Sequence, residues 1–127
     1  MIAVDTSALM AIVLDEPQAA ACIAAIEADD ELLISAGTVA EALIVSARRN
    51  VEEEVRSLID GLGFEIVNVT SATARRIADA YSAWGKGVHP AALNFGDCFA
   101  YAVAKERSCP LLFVGEDFNK TDIKPAI

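Results

Sequence analysis

Short apolar runs alternating with helical patterns constrain this chain more than any other feature. Residues 2–4 (Ile-Ala-Val), 32–34 (Leu-Leu-Ile), 64–69 and 111–114 (Leu-Leu-Phe-Val) are too short for core helices and are bounded by turn or cap residues, so they read as strands. Between them the apolar period changes to that of helices. Thr6-Ser7 opens a helix through Leu9, Ile12 and Val13, which Asp15-Glu16-Pro17 breaks; a second covers 18–28, with Ile23 and Ile26 on its buried side. Thr38 begins a third, carrying Val39, Ala42, Leu43 and Ala47 and ending at Arg48-Arg49-Asn50, where basic residues suit a helix C-terminus. A charged helix follows over 52–62, closed by Gly61 and Gly63. Thr70-Ser71 caps a helix over 72–84. Past the loop at 85–90, Asn94 caps a last helix that runs to Arg107, and an acidic loop at 115–122 follows the final strand.

This alternation predicts an α/β fold: a central, mostly parallel sheet flanked by helices on both faces. The 127 residues suit a single domain, 1–127, with one continuous fold. Composition agrees, since 54% of residues are hydrophobic and only 6% aromatic, the excess being Ala, Ile, Val and Leu. No apolar run approaches the ~20 residues a membrane span needs, so a soluble, cytoplasmic protein is expected. Cys22, Cys98 and Cys109 are odd in number and lack a Cys-x-x-Cys spacing, which predicts buried free thiols and neither a disulfide framework nor a zinc site.

In such sheets the ligand site lies beyond the carboxyl ends of the strands. Asp5 ends the first strand, Glu41 lies in the first turn of the helix after the second, and Asp117 follows the fourth. Asp97 opens the helix before the fourth strand and reaches that edge only through its helix N-terminus. Each acid has an ordinary explanation. Thr38-x-x-Glu41 and Asn94-x-x-Asp97 match the capping box, Asp5 is well placed to cap a helix, and Asp117 suits an Asx turn. Taken together, several carboxylates on one edge repel unless a cation binds or protons do. Oxygen donors without a His or Cys cluster favour Mg2+ or Mn2+.

These residues sit in four segments: VDTSAL at 4–9, TVAEAL at 38–43, LNFGDCFAYAVAKE at 93–106 and LLFVGEDFNKTDI at 111–123. In that order and spacing they resemble the PIN-domain ribonucleases, and among these the VapC toxins of bacterial toxin–antitoxin pairs. The resemblance implies a PIN-like fold and a metal-dependent endoribonuclease leaving a 5′-phosphate and a 3′-hydroxyl. Its catalytic and metal-binding acids correspond to Asp5, Glu41, Asp97 and Asp117, with Glu116 as the alternative for the fourth. Asp5 and Asp97 would take the primary ion, and Glu41 and Asp117 would position water or a second ion about 3.5–4 Å from the first. Thr6 and Ser7 match a hydroxyl position that orients a carboxylate or water, and Asp122 could act through water.

The formal charge of −9 runs against a broad basic RNA-binding surface, but bound divalent ions would reverse the potential where a phosphate approaches. Candidate RNA contacts are Arg48, Arg49, Lys86 and His89, although an Arg pair at a helix end often serves the dipole and a lone loop His often a hydrogen bond. The resemblance further implies a VapB-like antitoxin and a homodimer. Two rivals stand beside this reading: a phosphotransfer or receiver-like domain, which generally needs a Lys near the last strand where this chain has Val114-Gly115-Glu116, and a degenerate PIN fold that binds RNA or protein without cutting.

Overall fold

A computed structural model describes residues 1–127. Its elements are β1 Ile2–Val4, α1 Thr6–Val13, α2 Ala19–Glu27, β2 Leu32–Ser35, α3 Ala36–Arg48, α4 Glu52–Gly61, β3 Glu65–Val67, α5 Ser71–Trp84, α6 Phe95–Glu106 and β4 Leu111–Leu112, with a 3-10 turn over Phe118–Lys120. Every strand pairing is parallel, and the sheet order is β3-β2-β1-β4. The sheet grows from β1 through β2 to β3, then the chain returns to add β4 on the other side of β1. Growth therefore reverses between β1 and β4, and this switch point leaves a crevice at their carboxyl ends.

Strand side chains alternate between faces, and the two cores follow that period. Ile2, Val4, Leu32, Ile34 and Leu112 pack with Leu9 of α1, Cys22 of α2 and Val55 of α4. Ala3, Leu33 and Leu111 face the other way, onto Ile77 of α5 and Ala100, Val103 and Ala104 of α6. The expected helices on both faces are present. Leu9 and Leu33 are almost wholly buried, so truncating either to Ala costs about 2–5 kcal/mol through lost burial and the cavity left behind. All three cysteines are buried and unpaired, as the sequence indicates. No helix is long and apolar enough to cross a membrane.

Several boundaries differ from the sequence reading, each for a local reason. Helix α3 starts at Ala36, because Ser35 at the end of β2 is its cap and accepts from the Gly37 N–H at 3.1 Å. Thr38 thus lies inside the first turn, buried, its hydroxyl without a partner. On α2 the inward stripe is Ala19, Cys22 and Ile26, while Ile23 is 40% exposed. Strand β3 is shorter than 64–69 and forms a sheet edge with Glu65 and Ile66 exposed. Strand β4 stops at Leu112, and the Val114 N–H donates to Ser7 Oγ at 3.0 Å instead of continuing a ladder.

Candidate active site

Asp5 follows β1 and caps α1. Its Oδ2 accepts from the Ser7 N–H at 3.0 Å and from Ser7 Oγ at 2.6 Å, and because Ser7 Oγ also receives the Val114 N–H, this one hydroxyl ties Asp5 to the chain leaving β4. The cap explanation is correct but accounts for only one oxygen. Oδ1 is buried with no partner, on a residue only 3% exposed. A buried, unpaired carboxylate oxygen is costly unless something else approaches it.

Glu41 lies in the second turn of α3, since the helix begins two residues earlier than Thr38. The capping-box explanation fails with that start. Its Oε1 instead accepts from Thr6 Oγ1 of α1 at 2.6 Å. Beyond it stands Gly96 of α6, where a Cβ would overlap the Glu41 carboxylate; only a glycine lets the two elements meet this way. The sequence alone does not single out Gly96. Its signal was a glycine in the first turn of a helix, which costs about 1 kcal/mol relative to Ala and so asks for a reason.

Asn94 and Asp97 form the expected capping box on α6. Asn94 Oδ1 accepts from the Asp97 N–H at 2.8 Å, and Asp97 Oδ2 from the Asn94 N–H at 3.0 Å. Asp117 precedes the 3-10 turn, is exposed, and makes no capping bond, so the Asx-turn explanation has no support at this residue. Its neighbour Glu116 accepts from Asn119 Nδ2 at 3.2 Å.

Two of the acids are held against their own charge. Burial pushes the Asp5 carboxyl up to about 7 against the pull of the Ser7 hydrogen bonds, and the charges of Asp97 and Glu41 add to the rise. Burial likewise pushes Asp97 up to about 6 against the Asn94 N–H, with Glu41 and Asp117 adding to it. Glu41 and Asp97 thus bear on Asp5, and Glu41 and Asp117 bear on Asp97. None of the four is ion-paired: the molecule's salt bridges are Met1–Asp29, Arg56–Glu52, Arg76–Glu106, Lys105–Asp122 and Arg107–Glu65.

The donor set fits a hard divalent cation, being all oxygen with one buried carboxylate oxygen unclaimed. No three His, Cys, Asp or Glu side chains stand close enough together to hold a metal ion as they are placed. Mg2+ needs only one or two carboxylates and keeps several waters, so a single buried carboxylate oxygen with a second acid nearby is the donor set to test.

The other expected residues lie further out. Thr6 and Ser7 orient Glu41 and Asp5 through the bonds above. Asp122 is engaged elsewhere, accepting from Tyr101 Oη at 2.7 Å and Lys105 Nζ at 2.9 Å. Arg48 and Arg49 are exposed at the end of α3, roughly 10 Å along the helix from Glu41. Lys86 is exposed in the loop before α6. His89 in that loop accepts from the Ala91 N–H at Nδ1 (3.0 Å) and sets its ring edge-on to Trp84, with centroids 4.7 Å apart. The ordinary reading of His89 as a loop hydrogen-bonder describes this contact.

Known proteins give an independent comparison. The family model described as PIN domain matches residues 2–124. The VapC ribonuclease Mb0640 of Mycobacterium bovis is 43% identical over 123 residues, with 94% of each chain covered. Ribonuclease VapC42 of Mycobacterium tuberculosis is 40% identical over 127 residues, with 97% of each covered. Among solved structures, Mycobacterium tuberculosis VapC20, a sarcin-ricin-loop-cleaving toxin, superposes with a TM-score of 0.79 at 13% identity, covering 97% of this chain and 96% of that one. A toxin–antitoxin complex from Klebsiella pneumoniae gives 0.69 at 18% identity, covering 96% and 93%. At those identities the two structures speak for the fold alone, and the family rests on the domain match and the sequence relatives. On both grounds the chain belongs to the PIN-domain family and, within it, to the VapC ribonucleases.

Proposed function

We propose that this chain is the toxin of a VapBC-type pair, an endoribonuclease that hydrolyses RNA phosphodiesters with a divalent ion, Mg2+ or in its place Mn2+, held by Asp5, Glu41, Asp97 and Asp117. One observation carries the metal assignment: Asp5 Oδ1 is buried and unpartnered beside other acids, with no basic side chain paired to any of the four. What such an ion supplies when bound is Lewis acidity, giving an acidified water nucleophile and a neutralised phosphate.

The chain's own residues supply placement. Ser7 fixes one oxygen of Asp5 and leaves the other free, Thr6 fixes one oxygen of Glu41, and the Asn94 box fixes one oxygen of Asp97. Asp5 and Asp97 are the pair assigned to the primary ion, and Glu41 and Asp117 orient water or a second ion. Asp117, exposed and free of a capping bond, is the fourth member in preference to Glu116, which Asn119 engages. Arg48, Arg49 and Lys86 are exposed cations outside every salt bridge and are the proposed phosphate contacts.

The same edge suits inhibition by a VapB-like antitoxin, because an inserted guanidinium would take the cation's place by bidentate bonding to carboxylates. A homodimer belongs to the same reading. A cytoplasmic setting goes with it, since three buried, unpaired thiols suit a reducing compartment.

The test is incubation of the purified protein with total RNA, followed by mapping of the cut ends. Cleavage should require Mg2+ or Mn2+, stop with chelator, and leave 5′-phosphates. Asp97→Asn should abolish it while circular dichroism shows the fold intact. Full activity in that variant would remove the metal assignment, and a stable phosphoryl adduct on Asp5 would favour phosphotransfer.

A further inference from the structure

Phe95 is 70% exposed, more than any other large apolar side chain in the molecule. Leaving such a ring in water forgoes the burial that drives apolar side chains inward, so its position asks for a reason. It is the first residue of α6, next to Gly96 and two residues before Asp97. It is also held from behind. Its ring meets Phe99 edge-to-face, with centroids 4.9 Å apart and an 85° interplanar angle. Phe99 in turn lies against α3 at Gly37, where a Cβ would overlap its ring.

The result is a cleft of ≈ 290 Å³ between α3 and α6, whose walls include Ala40, Glu41, Ile44, Phe95 and Phe99. Ile44 on its rim is 57% exposed. The opposite side of Phe95 opens on a second cleft bordered by Tyr81 of α5. The ring is therefore a braced aromatic plate that projects beside the acidic edge, and Glu41 belongs to both.

We infer that Phe95 is a stacking platform for one base of the RNA substrate, the one flanking the scissile phosphate, and that the cleft between α3 and α6 receives that base. The inference rests on the nuclease reading above and adds to it where binding energy comes from. A chain with ten basic against nineteen acidic side chains lacks the basic excess that usually holds a nucleic-acid backbone, so binding energy has to come from elsewhere as well. Stacking on an aromatic face is independent of charge and tolerant of sequence, and it is how unpaired bases are commonly held. The occupant follows from continuity: Glu41, which bears on both Asp5 and Asp97, is also a wall of the cleft, so the cleft adjoins the place the phosphate would take. The space takes one flat ring and not the series of anchors that an amphipathic helix lays into a groove.

The experiment compares wild type with Phe95→Ala, Phe95→Leu and Phe95→Trp in Mg2+. The substrate is a single-stranded oligoribonucleotide with one mapped cut site, used intact and with an abasic ribose on either side of that site. Because Phe95 is so exposed, these variants should fold. Phe95→Ala and Phe95→Leu should lower kcat/KM about tenfold, mainly through KM, a loss of about 1.4 kcal/mol that lies within the range for one stacked base. Phe95→Trp should retain activity. On the oligonucleotide lacking the stacked base, wild type and Phe95→Ala should cut equally slowly. Equal loss by Phe95→Ala on intact and both abasic substrates would show a merely structural role and overturn the proposal. So would unchanged cleavage by Phe95→Ala, including the case where sedimentation shows a dimer turned monomer or an antitoxin no longer binds, which would assign the cleft to a protein. If wild type cuts no RNA, the nuclease reading itself falls and the stacking role falls with it.

Discussion

Helix α6 has an acid of its own in its first turn and one from the C-terminal segment against its later turns, and the fold treats them oppositely. Beside its later turns, Asp122 accepts from Tyr101 and Lys105, and Tyr101 Oη accepts from Trp84 Nε1 at 2.9 Å. Burial works against the charge on Asp122, but those two donors outweigh it and hold the carboxyl below its ordinary range. In the first turn, Asp97 has only the Asn94 N–H, and Asp5 across the crevice has only Ser7. Burial wins at both, reinforced by neighbouring carboxylates. A structural acid is recognised by the cation and donors that complete it. An acid kept for binding is recognised by their absence, because the fold bears the desolvation cost for a ligand still to arrive.

The largest expected effect separates the two groups directly. Asp97→Asn should lower RNA cleavage at saturating Mg2+ by roughly 1,000-fold or more, the loss of several kcal/mol of transition-state stabilisation. Asp122→Asn should leave the rate within about threefold, because its oxygens serve Tyr101 and Lys105, while losing about 1 kcal/mol of stability with the hydrogen bond. Comparable activity losses in the two variants would break the distinction.

Next in size is a dependence of stability on pH in chelator-treated protein. Asp5 rises from 3.8 to about 7 on folding, so its contribution is fully present below pH 3.8 and is lost as pH rises through 7. That shift amounts to a few kcal/mol, on the order of 4. Asp97 acts with the same sign over the lower window from 3.8 to about 6. Asp122, held low, acts oppositely, its contribution fading as pH falls. Without metal, the melting temperature of wild type relative to Asp5→Asn should therefore fall between pH 4 and pH 8. Mg2+ at about 100 times its dissociation constant should return about 2.7 kcal/mol to wild type at pH 8 and less to the variant. A flat difference across that range would mean that Asp5 is not held against its own charge.

Much of this contrast is legible in the sequence, and the exceptions have a common cause. Strand–helix alternation implied the parallel sheet, and the rule for its carboxyl edge placed Asp5, Glu41 and Asp117 together. Asn94-x-x-Asp97 was legible as a box because both partners are local. The start of α3, and with it the turn that holds Glu41, is not readable locally, because Ser35 and Thr38 are both able to cap a helix and the choice depends on where β2 lets go of the chain. The true partners of Glu41, Thr6 and the space at Gly96, come from two other helices. The inward expectation for Ile23 fails for a similar reason: period alone does not say which of two adjacent apolar residues, Cys22 or Ile23, faces the core. Local chemistry was readable throughout, whereas tertiary clearance was not.

The smallest effect tests that clearance. A methyl group at Gly96 would overlap the Glu41 carboxylate, which is the free end of a flexible side chain and not backbone, so Glu41 will swing aside and give up Thr6 Oγ1. Alanine within a helix also gains about 1 kcal/mol over glycine, which offsets the lost hydrogen bond. Gly96→Ala should therefore melt within about 2 °C of wild type yet cut RNA about tenfold more slowly, since small misplacements of a catalytic group carry rate penalties of this order. Thr6→Val should reproduce part of the loss by releasing the same carboxylate. If Gly96→Ala keeps full activity, Glu41 need not stand where the fold puts it; if the variant melts far lower, α3 and α6 are packed too tightly there for the side chain to yield.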